Sequence, residues 1–319
     1  MKRFTTLLLV LVFAVPIFAR SARPKLTRVA ANALTVERMP DARARTFHAL
    51  RQSRAAAAQK GVPRTNAVII NRSARALVIP AAGSVQGNGG TFFRSDVTLA
   101  NWNDRDQILG IVWVPNGDPA GVEFLLTSLP PLSIVTAEDF VGDFLELTGL
   151  GAIVLFPLAN EAGDFDETAA IDAFSRIWTP QPNATGTVSQ PFPAVEPDYM
   201  TNQDAGIVLG LRQDAQYRTN FGLVNISEDN LTFEVDVLAE EGTAPATRTV
   251  TVPSLGMVQQ SIASGTFGPL SLGVTVPNPP AGEYTWIAFA SSTDNTTGDG
   301  WVSIVANPFD DAALEETGQ

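Results

Sequence analysis

The chain has 319 residues, 45% of them hydrophobic, with a formal net charge of −12, which is apolar material enough for a core in each of two ordinary domains. It contains no cysteine and one histidine, His48. Cysteine nucleophiles, thiolate or histidine-based metal sites and disulfide stapling are therefore excluded.

At the start, Lys2 and Arg3 precede an apolar run from Leu7 to Ala19, and Ile17 and Ala19 suit the −3 and −1 positions of a cleavage site. Residues 1–19 are thus expected to be a secretory signal peptide. The mature chain is expected outside the cell or at its surface, with the periplasm as the other destination. No later run is long enough for a membrane span, so none is expected after cleavage.

Residues 20–75 carry thirteen Lys/Arg against two acids, a net +11, whereas 76–319 carry six against thirty-one, a net −25. A basic arm ahead of an acidic body either folds back on it or reaches an acidic partner. In an exported protein that partner is a neighbouring copy, giving self-association through the arm, or a cell-surface or extracellular polymer, rather than nucleic acid. Within the arm, Asp41 can N-cap a short helix through Ala55 to Ala58, with Gly61 and Pro63 as its stop. Ala67 to Ile70 and Ala76 to Ile79 read as short strands.

Beyond the arm the sequence repeats. Phe93-Arg-Ser-Asp-Val-Thr-Leu-Ala-Asn101 matches Tyr217-Arg-Thr-Asn-Phe-Gly-Leu-Val-Asn225, 124 residues later. In the same order, Pro131 to Val135 resembles Ser254 to Val258, Ala173-Phe174-Ser175 resembles Ala288-Phe289-Ala290, and Asn183 to Ser189 resembles Asn295 to Ser303. Four matches in order indicate a duplicated unit. Phe93, Ser95, Val97 and Leu99 alternate with polar residues, as a strand with one buried face requires. Leu109 to Val114, Ala152 to Phe156, Leu231 to Leu238, Thr247 to Val252 and Tyr284 to Ala290 read as further strands. Gly83 to Gly90 reads as a loop. Thr136 and Asp139 predict a helix through Phe140, Phe144 and Leu147, ended by Gly149.

The aromatic-Arg-Ser/Thr-Asp/Asn strand ending in Asn resembles one found in uncharacterised secreted bacterial proteins with tandem immunoglobulin-like repeats. The resemblance covers about 79–308 and implies a fold and an extracellular setting, with no activity. The expected class is all-β: two tandem immunoglobulin-like antiparallel β-sandwich domains at 76–198 and 199–309. They are preceded by the signal peptide and a partly helical or disordered arm at 20–75, and followed by an acidic tail at 310–319.

The structural signature is Arg94, Asp96, Asn101 and their counterparts Arg218, Asn220 and Asn225, with Arg94 expected to pair with a carboxylate such as Asp96 and the asparagines expected to close turns. No catalytic residue and no cofactor is identified, and His48, lying in the arm, cannot complete a Ser-His-Asp triad within the repeats. Asp164, Asp166 and Glu167 form the densest acidic cluster; they are weak candidates for Ca²⁺, lacking EF-hand spacing, and for a glycosidase carboxylate pair. Trp102 and Trp301, near loop ends, are candidates for stacking on a sugar ring, while Trp113 and Trp286 are expected in the core. The function expected is that of a non-catalytic structural or interaction protein for adhesion or scaffolding. Carbohydrate binding is the alternative, and glycoside hydrolysis ranks below it.

Overall fold

The computed structural model describes residues 25–59, 76–87, 90–181, 185–197, 200–201, 205–239, 246–262, 265–281 and 284–306. The signal peptide, the strand expected at Ala67 to Ile70 and the acidic tail lie outside them. The chain is mostly β, as its alternating patterns require. Its first part contributes β1 (Thr27–Ala30), β2 (Glu37–Met39), α1 (Ala42–Gln59), β3 (Leu77–Gln86), β4 (Phe92–Asn101), β5 (Gln107–Pro115), β6 (Glu123–Leu129), β7 (Ser133–Ala137), β8 (Gly149–Leu158), β9 (Ile171–Pro180) and β10 (Thr187–Pro193). There follow β11 (Met200–Thr201), β12 (Gly206–Gln213), β13 (Tyr217–Asn225), β14 (Leu231–Ala239), β15 (Ala246–Val252), β16 (Gly256–Ser261), β17 (Gly268–Thr275), β18 (Thr285–Asp294) and β19 (Gly300–Ile304).

Two strand sets share one order. In the first, β10-β9-β4-β7 forms one layer and β3-β8-β5-β6 the other, joined where Ser84 to Gln86 of β3 pair with Arg94 to Phe92 of β4. In the second, the layers are β19-β18-β13-β16 and β12-β17-β14-β15. The registers agree: Leu99 lies opposite Ala173 and Val135, and Leu223 opposite Ala288 and Val258. The fourth sequence match is out of register, because Val188 pairs with Thr179 whereas Val302 pairs with Ser291, three positions earlier on the equivalent strand. In the immunoglobulin order the first strand lies beside the second and the seventh beside the sixth. Here the first lies beside the sixth (β3–β8) and the seventh beside the second (β9–β4).

The described part of the basic arm, residues 25–59, belongs to the fold. β1 adds in parallel to β7, and β2 adds antiparallel to β6. Between β2 and β3, α1 buries Thr46, Ala49, Leu50, Ser53 and Ala56. Asp41, the expected cap, is left-handed (φ 58°), and its carbonyl accepts from the Arg45 amide at 3.1 Å. From the same helix, Arg43 Nη2 donates to Ser254 Oγ at 2.8 Å, Arg51 pairs with Glu228 at 2.6 Å, and Arg54 Nη2 donates to Thr285 Oγ1 at 2.6 Å. The arm therefore fastens the second strand set to the first.

Burial explains why the duplicated strands differ in sequence. Outward positions of β14 are Thr232, Glu234, Asp236 and Leu238, and those of β5, 124 residues earlier, are Ile108, Gly110, Val112 and Val114. The middle strands of the β5 layer are covered on both sides, so Ile108 to Val114 of β5 and Ala152 to Leu158 of β8 are apolar on both faces. A single buried cluster takes in β3, β5, β8 and Leu50 of α1 together with Val224, Met257, Ile287 and Phe289 from the outer face of β13, β16 and β18. Inward residues of the second set form a separate core around Phe233, Leu272 and Trp286.

Two local expectations are corrected. Thr136 ends inside β7, and Asp139 instead caps a five-residue π-helical turn, Phe140–Phe144, its carboxylate accepting from the Gly142 amide at 3.2 Å. Phe140 and Val141 are buried where the turn packs on β3 and β4, and the left-handed backbone of Glu146 (φ 56°) stops the helical path just beyond it. Gly83 to Gln86 is strand rather than loop, because it pairs with β8 and β4.

Candidate functional site

The two signature asparagines are fully buried and do the same thing. Asn101 Nδ2 donates to the carbonyls of Arg105 (2.9 Å), Leu129 (3.0 Å) and Pro130 (2.8 Å), and its Oδ1 accepts from the Asn103 amide (2.9 Å). Asn225 Nδ2 donates to Asp229 (2.8 Å), Val252 (3.1 Å) and Pro253 (3.0 Å), and its Oδ1 accepts from the Ser227 amide (2.9 Å). Each asparagine ties the end of its strand to two chain crossings, and each is followed across the sheet by a left-handed leucine, Leu132 and Leu255, both at φ 45°. Buried carbonyls at a strand crossing need donors, which is why this position takes a primary amide.

The signature arginines serve different partners. Arg94 Nε faces Asp139 at 3.3 Å rather than Asp96. Asp96 accepts instead from Arg176 Nη2 and from the Trp178 indole N–H, each at 2.8 Å. Arg218 donates to Asn295 Oδ1 at 2.8 Å, and Asn220 lies partly exposed on β13, opposite Ser261 and Ser291.

The acidic cluster does not converge. Asp164 accepts from Asn160 at 2.8 Å and lies 3.6 Å from His48 Nε2; these contacts, the Asn160 bond first, hold its carboxyl below the ordinary aspartate range. Asp166 turns to Arg105 and Thr168, both at 2.8 Å, and although burial pushes its carboxyl up, those bonds leave it lowered. Glu167 is exposed beside them. Among the described residues no three His, Asp or Glu side chains are grouped to hold a metal ion. Trp113 and Trp286 are core residues, and Trp102 is half-buried with its amide bonded to the Ala170 carbonyl. Trp301 is 37% exposed, donates its indole N–H to the Gly210 carbonyl at 2.7 Å and packs edge-on against Tyr217.

What the structure does assemble is an aromatic and arginine face on the outer side of β4, β9 and β10. Along β9 the outward residues are Phe174, Arg176 and Trp178, with Pro191 opposite Arg176 and Pro193 opposite Phe174 on β10. The guanidinium groups of Arg94 and Arg176 lie 5.7 and 5.8 Å from the Trp178 ring, and Arg94 lies 4.9 Å from Phe92. These distances are those of cation–π stacking. No family model and no curated protein matches this chain.

Phe174 stands at the position that Phe289 fills in the second set, since Thr98 faces Phe174 across the sheet as Gly222 faces Phe289. Phe289 is 1% exposed and packs edge-on against Phe192, whereas Phe174 is 45% exposed. The face that the second set buries against the first is therefore open in the first. Alternation of Phe174, Arg176 and Trp178 was the sequence signal for it, and attention to tryptophans near loop ends passed it over.

Proposed function

We propose that this chain is a non-catalytic, secreted structural or interaction protein of the cell surface or extracellular space. In this reading two tandem sandwiches, immunoglobulin-like in layering but with the first and seventh strands exchanged, form one stiff body. The observation that carries it is the open face bearing Phe174, Arg176 and Trp178, while the equivalent face of the second set is used internally for packing. An exposed apolar ring among guanidinium groups on a flat sheet is a contact surface rather than a cleft.

Glycan binding is the second reading, favoured by the exposure of Phe174 on the same face as Arg176 and Arg94, whose guanidinium groups can donate to hydroxyl or carboxylate oxygens. One experiment tests both. Sedimentation of the mature chain with intact cells and with insoluble polysaccharide is compared between the wild type and a Phe174→Ala, Arg176→Ala variant. The proposal expects binding at least about tenfold weaker in the variant, a loss of about 1.4 kcal/mol. Unchanged binding would rule out this face.

A further inference from the structure

We propose that the outer edge of β15 is a strand-pairing surface for a second copy of this chain, which adds its own β15 antiparallel across a two-fold axis. The duplication shows what each sheet edge requires, because equivalent edges can be compared. β7 is covered by β1 in parallel, and its equivalent, β16, receives Asn116, also in parallel: Asn116 bridges Met257, the Gly117 amide donates to the Met257 carbonyl at 2.9 Å, and the Gln259 amide donates to Asn116 Oδ1 at 2.7 Å. The edge of β3 is bridged at Val78 by Val195, as that of β12 is at Ile207 by Ala306. β6 is covered by β2, whose Glu37 to Met39 pair antiparallel with Leu126 to Phe124. Its equivalent is β15, and among the described residues no strand lies beside β15 on the side away from β14.

The sequence of this edge leaves the middle of the strand open to pairing, although Pro245 and Pro253 lie just beyond its ends. Ala-Thr-Arg-Thr-Val-Thr-Val is seven residues of strongly β-forming chain with no proline, glycine, lysine or acid, and the pairing with β14 runs without a bulge. Its one charged residue, Arg248, lies on the inward face with Val250 and Val252, its Nη2 3.4 Å from the Ile262 carbonyl, and is the single edge-guarding charge this strand carries. Protected edges carry prolines, lysines, inward-pointing charges, bulges or covering segments; on β15 the outward side chains are the exposed Thr247, Thr249 and Thr251, and among the described residues no strand pairs with its free side. The first unit fills this place with an antiparallel strand, and a two-fold axis makes two copies of one strand antiparallel by construction. Pairing would join the two β12-β17-β14-β15 layers into one continuous sheet.

Copies of a chain with net charge −12 repel at long range, so this association strengthens as salt rises, the reverse of an arm-to-body attraction. The inference rests on the structural reading only for its purpose, and the binding experiment above uses a different face, so the two fail separately. The test is sedimentation equilibrium of the mature full-length chain at low and high salt, beside Thr249→Lys and, because the chain has no cysteine, Thr249→Cys under oxidising conditions. Expected are a salt-strengthened dimer, at least about tenfold weakening by Thr249→Lys with its unfolding midpoint unchanged, and a disulfide-linked dimer of Thr249→Cys. A wild-type monomer in all salt conditions, or a dimer that Thr249→Lys leaves intact, would overturn the proposal.

Discussion

Replacing Asn101 with alanine removes an amide whose two N–H donors serve three backbone carbonyls and whose Oδ1 accepts from the Asn103 backbone amide and from Asn103 Nδ2, all around a fully buried side chain. At a net ~1 kcal/mol per bond, with an added penalty for carbonyls left dry, the cost is about 3–5 kcal/mol. Asn225→Ala should cost about the same, because its four bonds repeat four of the five made by Asn101. Asn101→Asp is the sharper variant: it keeps the shape, loses the donors and sets a carboxylate against three carbonyl oxygens, so it should be at least as damaging as alanine. Urea unfolding followed by the fluorescence of buried Trp113 and Trp286 reads both strand sets at once. A loss below about 1 kcal/mol for either alanine variant, or a wild-type midpoint for Asn101→Asp, would refute the reasoning.

Gly222→Ala should cost about 1–3 kcal/mol in the same unfolding assay, because an added Cβ would run into the Phe289 ring, which is held in the core. Leu50→Ala, in the buried face of α1, should cost about 2–5 kcal/mol, against about 0–1 for Arg51→Ala, whose ion pair with Glu228 is exposed. The carboxyls of Asp164, Asp166, Asp214 and Asp294 all lie below their ordinary value. A depressed carboxyl stabilises the fold fully above its unfolded pKa and loses that contribution as pH falls through the folded one, so urea midpoints should be level near neutrality and decline below about pH 4. Asp214→Asn should flatten that decline.

The repeat was legible because a strand closed by a buried asparagine tolerates few alternatives: Asn101 and Asn225, the alternation before them and the segments across the sheet could be aligned without a structure. The match from Asn183 to Ser189 misled because the last strand pairs along only one side, which lets residues such as Val188 and Val302 serve different register positions. Arg94 was assigned to Asp96 by proximity in sequence, but side chains two apart on one strand face the same way without having to meet, and Asp139 reaches Arg94 from another element. The role of the arm was hidden for a different reason. Its charge left two options open, folding back on the acidic body or reaching a partner, and the weak helical pattern did not decide between them; Ala49, Leu50 and Ala56 supply a narrow apolar stripe to the core and leave the arginines to bridge the two strand sets. The open face is only half legible in the sequence: the alternation of Phe174, Arg176 and Trp178 marks an outward row, but the exposure of Phe174 depends on what covers its equivalent, which that pattern does not encode.

The central claim is that the basic arm is an integral part of one interlocked body. Native-state hydrogen exchange of the mature chain measures it most directly, by comparing amides of α1 with those of β5 and β8. Protection of α1 within the same slow class as these central strands is the predicted result. Complete exchange of α1 in the fast phase, with β5 and β8 still protected, would contradict the account.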